Sequence, residues 1–175
     1  MTKPSSRSNA SYAALGGMIA ALYVVLTVFI NSFDLASGVI QVRVSEALTI
    51  LPVFTPAAIP GLFAGCLISN LITGCAPMDV VFGSLATLIG AFGTFLLRKK
   101  SRFLAPLPPI LSNTIIVPFI LSWVYHYEGS IFFFMLTVGI GEILSAGVLG
   151  LAIYPLLKRC FAILPDSFQF GSDAK

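Results

Sequence analysis

The fold of this chain is decided by its first long apolar run, residues 10–30, which reads ASYAALGGMIAALYVVLTVFI. A helix needs about 20 mostly apolar residues to cross the hydrocarbon part of a bilayer, and this run has that length without a charged side chain. It is also longer than the roughly 7–15 apolar residues at the centre of a signal peptide. We therefore expect it to remain in the protein as a membrane-spanning helix.

The composition of the whole chain agrees with a membrane location. Of its 175 residues, 57% are hydrophobic and only 10% are charged, and the mean hydropathy is +0.98. Soluble domains are about 45–50% apolar and carry a charged surface that this chain cannot supply, so the composition excludes a soluble globule. The net charge of +3 is spread over short segments between apolar runs. Without one basic face, nucleic-acid binding is not expected.

Five further apolar runs predict an all-α bundle of six transmembrane helices in a single integral membrane domain, residues 1–175. The second run contains Arg43 and Glu46 and is followed by closely spaced prolines, which remove backbone donors and disfavour helix before them. A short or half-polar helix is therefore expected there. The predicted spans are residues 10–30, 39–54, 57–73, 79–97, 107–125 and 130–157.

The basic residues predict the orientation of this bundle. All Lys and Arg residues except Arg43 lie before the first run, between the fourth and fifth runs, or after the sixth. Short cytoplasmic loops are enriched in Lys and Arg, so six spans place all three basic segments and both termini in the cytoplasm. Five spans would put the two basic termini on opposite sides of the membrane, which fits the charges less well.

Charged side chains inside the apolar runs are the candidates for a binding site. A charge at the centre of a span costs about 2.5–3.5 kcal/mol on insertion scales, so each should be paired or face a wet cavity. Structural explanations stay open for each. Arg43 and Glu46 are three residues apart and can neutralise each other, Asp79 can cap a helix, and Glu142 can be a neutral carboxyl that packs helices.

In the six-span arrangement, polar and aromatic residues converge on the outer half of the bundle. This clustering predicts a pocket there, roofed by residues 31–41 and 74–78, although an interfacial aromatic belt is the alternative explanation for the aromatic residues. We predict that Glu46, Asp79 and Glu142 accept hydrogen bonds from the ligand. Arg43 and Asn70 are predicted to orient these carboxylates, and Trp123 and Tyr127 to form walls of the pocket.

Small residues recur every four positions on two of the predicted helices. One stripe is Ala13, Gly17 and Ala21, and the other is Gly61, Gly65 and Ser69. Such stripes let helices approach closely. Each therefore indicates either packing inside the bundle or a docking face for another membrane protein.

The motifs of common enzymes are missing from the sequence. It has no GxxxxGK[ST] phosphate-binding loop, no HExxH and no GxSxG, and it contains a single histidine. We therefore expect no catalytic residues, no metal site and no cofactor. If this chain takes part in ATP-driven transport, the ATPase must be another subunit.

From Arg43 onward the chain reads RVSEALTILPVFTPAAIPGLFAGCLISNLITGCAPMDVVFGSLATLIGA. Together with its spaced prolines, Asn70 and Asp79, this stretch resembles the QueT family, substrate-binding S components of energy-coupling factor (ECF) transporters. The resemblance implies a six-helix bundle in the bacterial cell membrane that binds a scarce micronutrient from outside. It also implies that Ala13, Gly17 and Ala21 meet a membrane-embedded coupling protein, driven by two cytoplasmic ATPase subunits.

The family name implies a queuosine precursor, a deazaguanine base, as the substrate. Such a base offers adjacent N–H donors for a carboxylate, a flat face for an aromatic ring and, in one precursor, a cationic aminomethyl group. The alternatives are a cobalamin-specific S component of the same family and a solitary ion-coupled carrier in which Glu142 relays protons. An intramembrane enzyme is more distant.

Overall fold

Helices form the secondary structure of residues 6–32 and 43–164, the parts of the chain that the computed structural model describes, with side chains from residue 9 onward. The all-α prediction is confirmed for these residues. In chain order the elements are α1 (Ser6–Asn31), a 3-10 helix (Val44–Val53), α2 (Ala58–Ile72), α3 (Pro77–Leu97), α4 (Leu107–Trp123), α5 (Ile131–Glu142), a π-helical segment (Ile143–Leu149) and α6 (Gly150–Ile163).

Three continuous helical stretches are long and apolar enough to cross a membrane. They are Asn9–Asn31, Pro77–Leu97 and Ile131–Ile163, the last of which runs through α5, the π-helical segment and α6. The 3-10 helix, α2 and α4 are apolar but shorter. These lengths and compositions fit a helical membrane protein.

The 3-10 helix is the central element of the fold. Residues 45–52 are all buried, and the helix packs against α1, α2, α3, α6 and the π-helical segment. Thr27 on α1 donates a hydrogen bond to the Ser45 hydroxyl at 2.8 Å, which fixes the start of the 3-10 helix. The second apolar run is thus a short helix, as expected. It is surrounded by the other helices, which places Glu46 in the interior.

The remaining helices pack in sequence order, α1 on α2, α2 on α3, α3 on α4 and α4 on α5. At one end of the bundle, the Phe54 ring after the 3-10 helix stacks on Phe161 near the end of α6, with 5.3 Å between centroids. At the other end, Tyr125 after α4 bonds to Asp79 at the start of α3. The Tyr125–Asp79 contact shows that α3 and α4 run in opposite directions. The helices α1 and α2 run in the same direction, because Gly61 packs beside Gly16 and Gly65 beside Tyr23.

The two small-residue stripes have different surroundings. A Cβ added at Gly61 would lie 2.7 Å from the Gly16 carbonyl oxygen, and one at Gly65 would lie 2.8 Å from the Tyr23 Cβ. The stripe on α2 is therefore internal packing against α1. Ala13, Gly17 and Ala21 lie on the exposed face of α1, and a Cβ added at Gly17 would meet no described atom within 4 Å.

Some predicted features fall outside the described residues. Residues 33–42 include the start of the second run and most of the predicted 31–41 roof, and residues 1–5 and 165–175 include both termini. At the other boundaries, α6 continues through Pro155 to Ile163, so Lys158 and Arg159 lie on the helix rather than after it. The basic residues at positions 98–102 lie between α3 and α4, as predicted.

Candidate functional site

The carboxyl groups predicted from the sequence face the inside of the bundle. Glu46 is 1% exposed, Asp79 5% and Glu142 7%, and the amide residue Asn70 is 1% exposed. None of these four side chains is exposed at the surface of the described bundle. Burying polar groups without partners is costly, so these side chains need hydrogen bonds to neighbouring residues.

Glu46 lies in the first turn of the 3-10 helix and is held from three sides. The Tyr23 hydroxyl on α1 donates a hydrogen bond to Glu46 Oε1, and the Thr87 hydroxyl on α3 reaches the same oxygen at 3.5 Å. The Asn113 side chain on α4 also lies beside this carboxyl. Arg43 adds only a Coulomb attraction, so the simple Arg43–Glu46 pairing does not describe how Glu46 is held.

Glu142 is linked to Glu46 through Asn113. The Asn113 side chain lies beside both carboxyls, and the two carboxyls interact electrostatically. Glu142 is the last residue of α5, directly before the π-helical segment. Segments of π-helix inside longer helices are frequent at functional sites. Three distant parts of the chain therefore meet at one amide.

Asp79 and Asn70 form a second group of polar side chains nearer the start of α3. Tyr125 donates a hydrogen bond from its hydroxyl to Asp79 Oδ2 at 2.9 Å, and the same hydroxyl accepts from the Ala76 N–H at 3.1 Å. Tyr125 rather than Asp79 thus satisfies the N–H of the N-cap residue. A Cβ added at Gly83 would lie 2.9 Å from Asp79 Oδ1 and 3.3 Å from Asn70 Nδ2, so Asp79 and Asn70 both border Gly83.

Cys66 and Arg43 connect the two groups. The Cys66 sulfur lies 3.7 Å from Asn70 Nδ2 and 3.4 Å from the Thr87 hydroxyl. Arg43 is attracted electrostatically to Asp79 and to Glu46. We call the connected set the interior polar cluster; its charged and amide members are Arg43, Glu46, Asn70, Asp79, Asn113 and Glu142.

Several buried polar atoms in and around this cluster have no hydrogen-bond partner among residues 6–32 and 43–164. Leaving a buried donor or acceptor unpaired costs about 1–3 kcal/mol, so such atoms are rare in native structures. Here acceptors and donors occur together, which is the arrangement that a bound polar molecule satisfies. The atoms are Arg43 Nε, Glu46 Oε2, Asn70 Oδ1, Thr114 Oγ1, Glu142 Oε2 and Ser145 Oγ.

The two predicted aromatic walls lie outside the interior polar cluster. Trp123 is 68% exposed, packs edge-on against Phe119, and lines an apolar groove of about 390 Å³ between α3 and α4. This position matches an interfacial aromatic residue better than a pocket wall. Tyr127 is 40% exposed and stacks on Tyr125, the partner of Asp79, with 5.9 Å between ring centroids.

The structure also adds residues that the sequence analysis did not select: Tyr23, Thr87, Asn113 and Tyr125. Asn113 could have been selected from the sequence, because it is an amide inside an apolar run just as Asn70 is. Tyr23 and Thr87 could not, because single hydroxyls are common in membrane helices and do not indicate a site. Within the described ranges, no group of three or more His, Cys, Asp or Glu side chains is placed to hold a metal ion.

Comparison with known proteins gives two matches. The family model described as "QueT transporter" matches residues 13–159. The queuosine precursor transporter QueT of Lactococcus lactis subsp. cremoris (strain MG1363) is 39% identical over 72 residues, which are 41% of this chain and 42% of that protein. The aligned part thus spans less than half of this relative. No solved structure matches the chain significantly.

Proposed function

Because the chain belongs to the QueT transporter family, we propose that it is the substrate-binding subunit of an ATP-driven ECF-type importer for a queuosine precursor. This family consists of transporters and not of enzymes. The proposed substrate is a deazaguanine base, and the proposed binding residues are Arg43, Glu46, Asn70, Asp79 and Glu142, with Asn113 added from the structure.

The observation that carries this proposal is the set of unpartnered atoms in the interior polar cluster. Glu46 Oε2, Asn70 Oδ1 and Glu142 Oε2 are buried acceptors, and Arg43 Nε is a buried donor. A guanine-like base has several N–H donors and a carbonyl acceptor on one flat frame, which matches this inventory. Hydrogen bonds to charged groups contribute about 1.5–3 kcal/mol each, so two or three of them support tight binding.

Cobalamin is the alternative substrate within the same family. It is much larger than a base and would need a wide mouth with few charges. The crowded, charged surroundings of Glu46 and Glu142 favour the base. Isothermal titration of the purified protein with a deazaguanine base and with cobalamin separates the two. We expect heat only with the base; heat only with cobalamin would favour the alternative, and no heat with either would overturn both assignments.

We further propose that the bundle crosses a bacterial cell membrane six times with both termini in the cytoplasm. The 3-10 helix runs back along α1, since Ser45 contacts Thr27 and Glu46 contacts Tyr23, and α3 and α4 run in opposite directions. Both relationships support this arrangement, as do the basic residues between α3 and α4. In a background without the three native cysteines, Glu128→Cys should react with a membrane-impermeant reagent from outside. Ser101→Cys should not. The reverse pattern would contradict the proposed orientation.

The proposed partners are a membrane-embedded coupling protein and two cytoplasmic ATPase subunits. The exposed stripe of Ala13, Gly17 and Ala21 on α1 supports a helix-docking face. The rival is a solitary carrier in which the buried Glu142 relays protons. Uptake into liposomes distinguishes them: the proposal expects none by this chain alone under a proton gradient, and uptake without ATP or partners would favour the rival.

A further inference from the structure

We propose that the loop between α3 and α4 binds the headgroup of an anionic phospholipid. Directly after the apolar helix α3, this loop carries four basic residues within five positions: Arg98, Lys99, Lys100 and Arg102. Clusters of this size on the cytoplasmic side of a membrane-spanning helix are typical of sites for anionic lipids, and the orientation proposed above places the loop on that side. Such a site depends on the membrane location of the chain and not on the identity of its substrate.

The loop is held in a defined shape by the helices that it connects. The Thr94 hydroxyl near the end of α3 donates a hydrogen bond to the Ala105 carbonyl oxygen at 2.8 Å, and both residues are fully buried. Next to the loop, α3 and α4 are in close contact, since a Cβ added at Gly90 would lie 2.6 Å from Pro109 Cα. The basic side chains therefore extend from fixed backbone positions.

Three of the four basic side chains are exposed: Lys99, Lys100 and Arg102. Arg98 is instead half-buried against its own helix. Its guanidinium donates a hydrogen bond to the Phe95 carbonyl oxygen at 2.8 Å and lies 3.9 Å from the centre of the Phe95 ring. Arg98 thus helps to hold the end of α3, and the other three cations face the surroundings of the protein.

No carboxylate of the described residues lies beside these three cations. The sequence contains no Asp or Glu between Asp79 and Glu128. Asp79 lies at the opposite end of α3, and Glu128 follows the opposite end of α4. The other two carboxyls in residues 6–32 and 43–164, on Glu46 and Glu142, are buried in the interior. The positive charge of the loop is therefore not neutralised locally, and a phosphate group complements it.

Apolar side chains beside the cations favour a lipid over a soluble anion. Phe103 is 65% exposed, the Arg102 guanidinium lies 4.8 Å from the centre of its ring, and the adjacent Leu104 is also exposed. Phe92 and Leu96 are exposed on the last turns of α3, and their spacing of four residues puts them on one face of the helix. An anionic phospholipid combines a phosphate with acyl chains, so it can contact the cations and this apolar surface together.

The test is a lipid-binding measurement on the purified full-length chain in a neutral detergent. Mixed micelles supply either phosphatidylglycerol, which is anionic, or phosphatidylcholine, which is zwitterionic, and native mass spectrometry counts the bound lipid. Each basic residue near an anionic surface increases binding about fivefold, so the wild-type protein should prefer phosphatidylglycerol by at least about tenfold. This preference should decrease as the salt concentration rises, because salt screens exposed charges.

Two matched double variants separate the loop from the overall charge of the protein. Lys99→Gln/Lys100→Gln removes two of the exposed loop cations and should lower the preference for phosphatidylglycerol at least about fivefold. Lys158→Gln/Arg159→Gln removes the same charge from exposed positions on α6 and should leave the preference unchanged. All four substituted side chains are exposed, so both variants should fold.

Three results would overturn the proposal. The first is equal binding of the two lipids by the wild-type protein, which would leave the loop cations to another anionic partner, such as an acidic protein surface. The second is an unchanged preference in Lys99→Gln/Lys100→Gln. The third is an equal loss in both double variants, because the preference would then follow net charge alone. The wild-type comparison needs no variant, so it is decisive even if a variant does not fold.

Discussion

The Tyr23 hydroxyl donates a hydrogen bond to the carboxyl of Glu46, joining α1 to the central 3-10 helix. Tyr23 is fully buried, whereas Ala13, Gly17 and Ala21 lie on the exposed face of the same helix. The helix that carries the proposed docking stripe therefore also holds one of the proposed binding carboxyls.

The Tyr23 bond should support both stability and ligand binding. Tyr23→Phe removes the hydroxyl and leaves Glu46 Oε1 with fewer donors, which costs about 1–3 kcal/mol for a buried group bonded to a carboxylate. We expect a lower Tm of the ligand-free protein in detergent and weaker binding of the base. Tyr154→Phe is the control, because Tyr154 packs against Phe54 at the other end of the 3-10 helix. An unchanged Tm and affinity in Tyr23→Phe would contradict the role given to this bond.

Asn113 should be essential for holding Glu46 and Glu142 together. Asn113→Leu keeps the side-chain size but removes the amide that lies beside both carboxyls, so we expect affinity for the base to fall about 10–100-fold, the equivalent of one charged hydrogen bond. Ser112→Ala is the neighbouring control, because the Ser112 hydroxyl bonds only to the Pro109 carbonyl of its own helix in the described structure. Titration measures both variants, and comparable losses in the two would argue against a specific role for Asn113.

The two small-residue stripes should respond in opposite ways to added volume. Gly17→Leu places a side chain where no described atom lies within 4 Å, so folding and ligand binding should be preserved while ATP-driven uptake with the partner subunits is lost. Gly61→Leu forces a side chain into the Gly16 backbone, and such overpacking typically costs about 1–3 kcal/mol or more. Thermal unfolding, titration and uptake assays separate these effects. Loss of binding in Gly17→Leu would indicate internal packing at that stripe instead.

Gly83 should control the space between Asp79 and Asn70. A Cβ there would lie 2.9 Å from Asp79 Oδ1 and 3.3 Å from Asn70 Nδ2, both at the ends of side chains that can move. We therefore expect Gly83→Ala to displace these polar groups and weaken binding at least severalfold. Stability should change little, since alanine favours a helix over glycine by about 1 kcal/mol.

Gly139→Ala on α5 is the matched control for Gly83→Ala. A Cβ at Gly139 makes only ordinary contacts, the nearest being 3.5 Å from Thr114. Affinity for the base should therefore be retained in Gly139→Ala. If Gly83→Ala binds the base as tightly as the wild-type protein, Asp79 and Asn70 do not contact the ligand as proposed.

Much of the helical organisation could be predicted because hydrophobicity and proline spacing are local properties of the sequence. The run at residues 10–30 lies within α1, and the polar second run forms a short helix. The type of that helix and its burial on all sides were not predictable, because they depend on the elements packed around it. The π-helical segment after Glu142 has no clear sequence signature either.

The burial of polar residues in the interior was predicted in part, for a related reason. A charge or amide inside an apolar run is visible in the sequence, and it identified Glu46, Asn70, Asp79 and Glu142, all of which are buried. The sequence pattern around Trp123 is the same for a pocket wall as for a lipid-facing aromatic residue, so it does not separate the two positions; in the structure the side chain is 68% exposed. Nothing local distinguishes the two faces of a helix that is apolar all round.

The sequence by itself determined that this is a helical membrane protein with ionisable groups in its apolar segments, because the cost of exposing polar groups to lipid acts on each segment separately. Only the tertiary structure decided that Asn113 lies beside both Glu46 and Glu142, and that the α2 stripe is internal while the α1 stripe is exposed. These relationships join residues that are far apart in the chain. They are set by which helix faces pack against each other, which no single segment specifies.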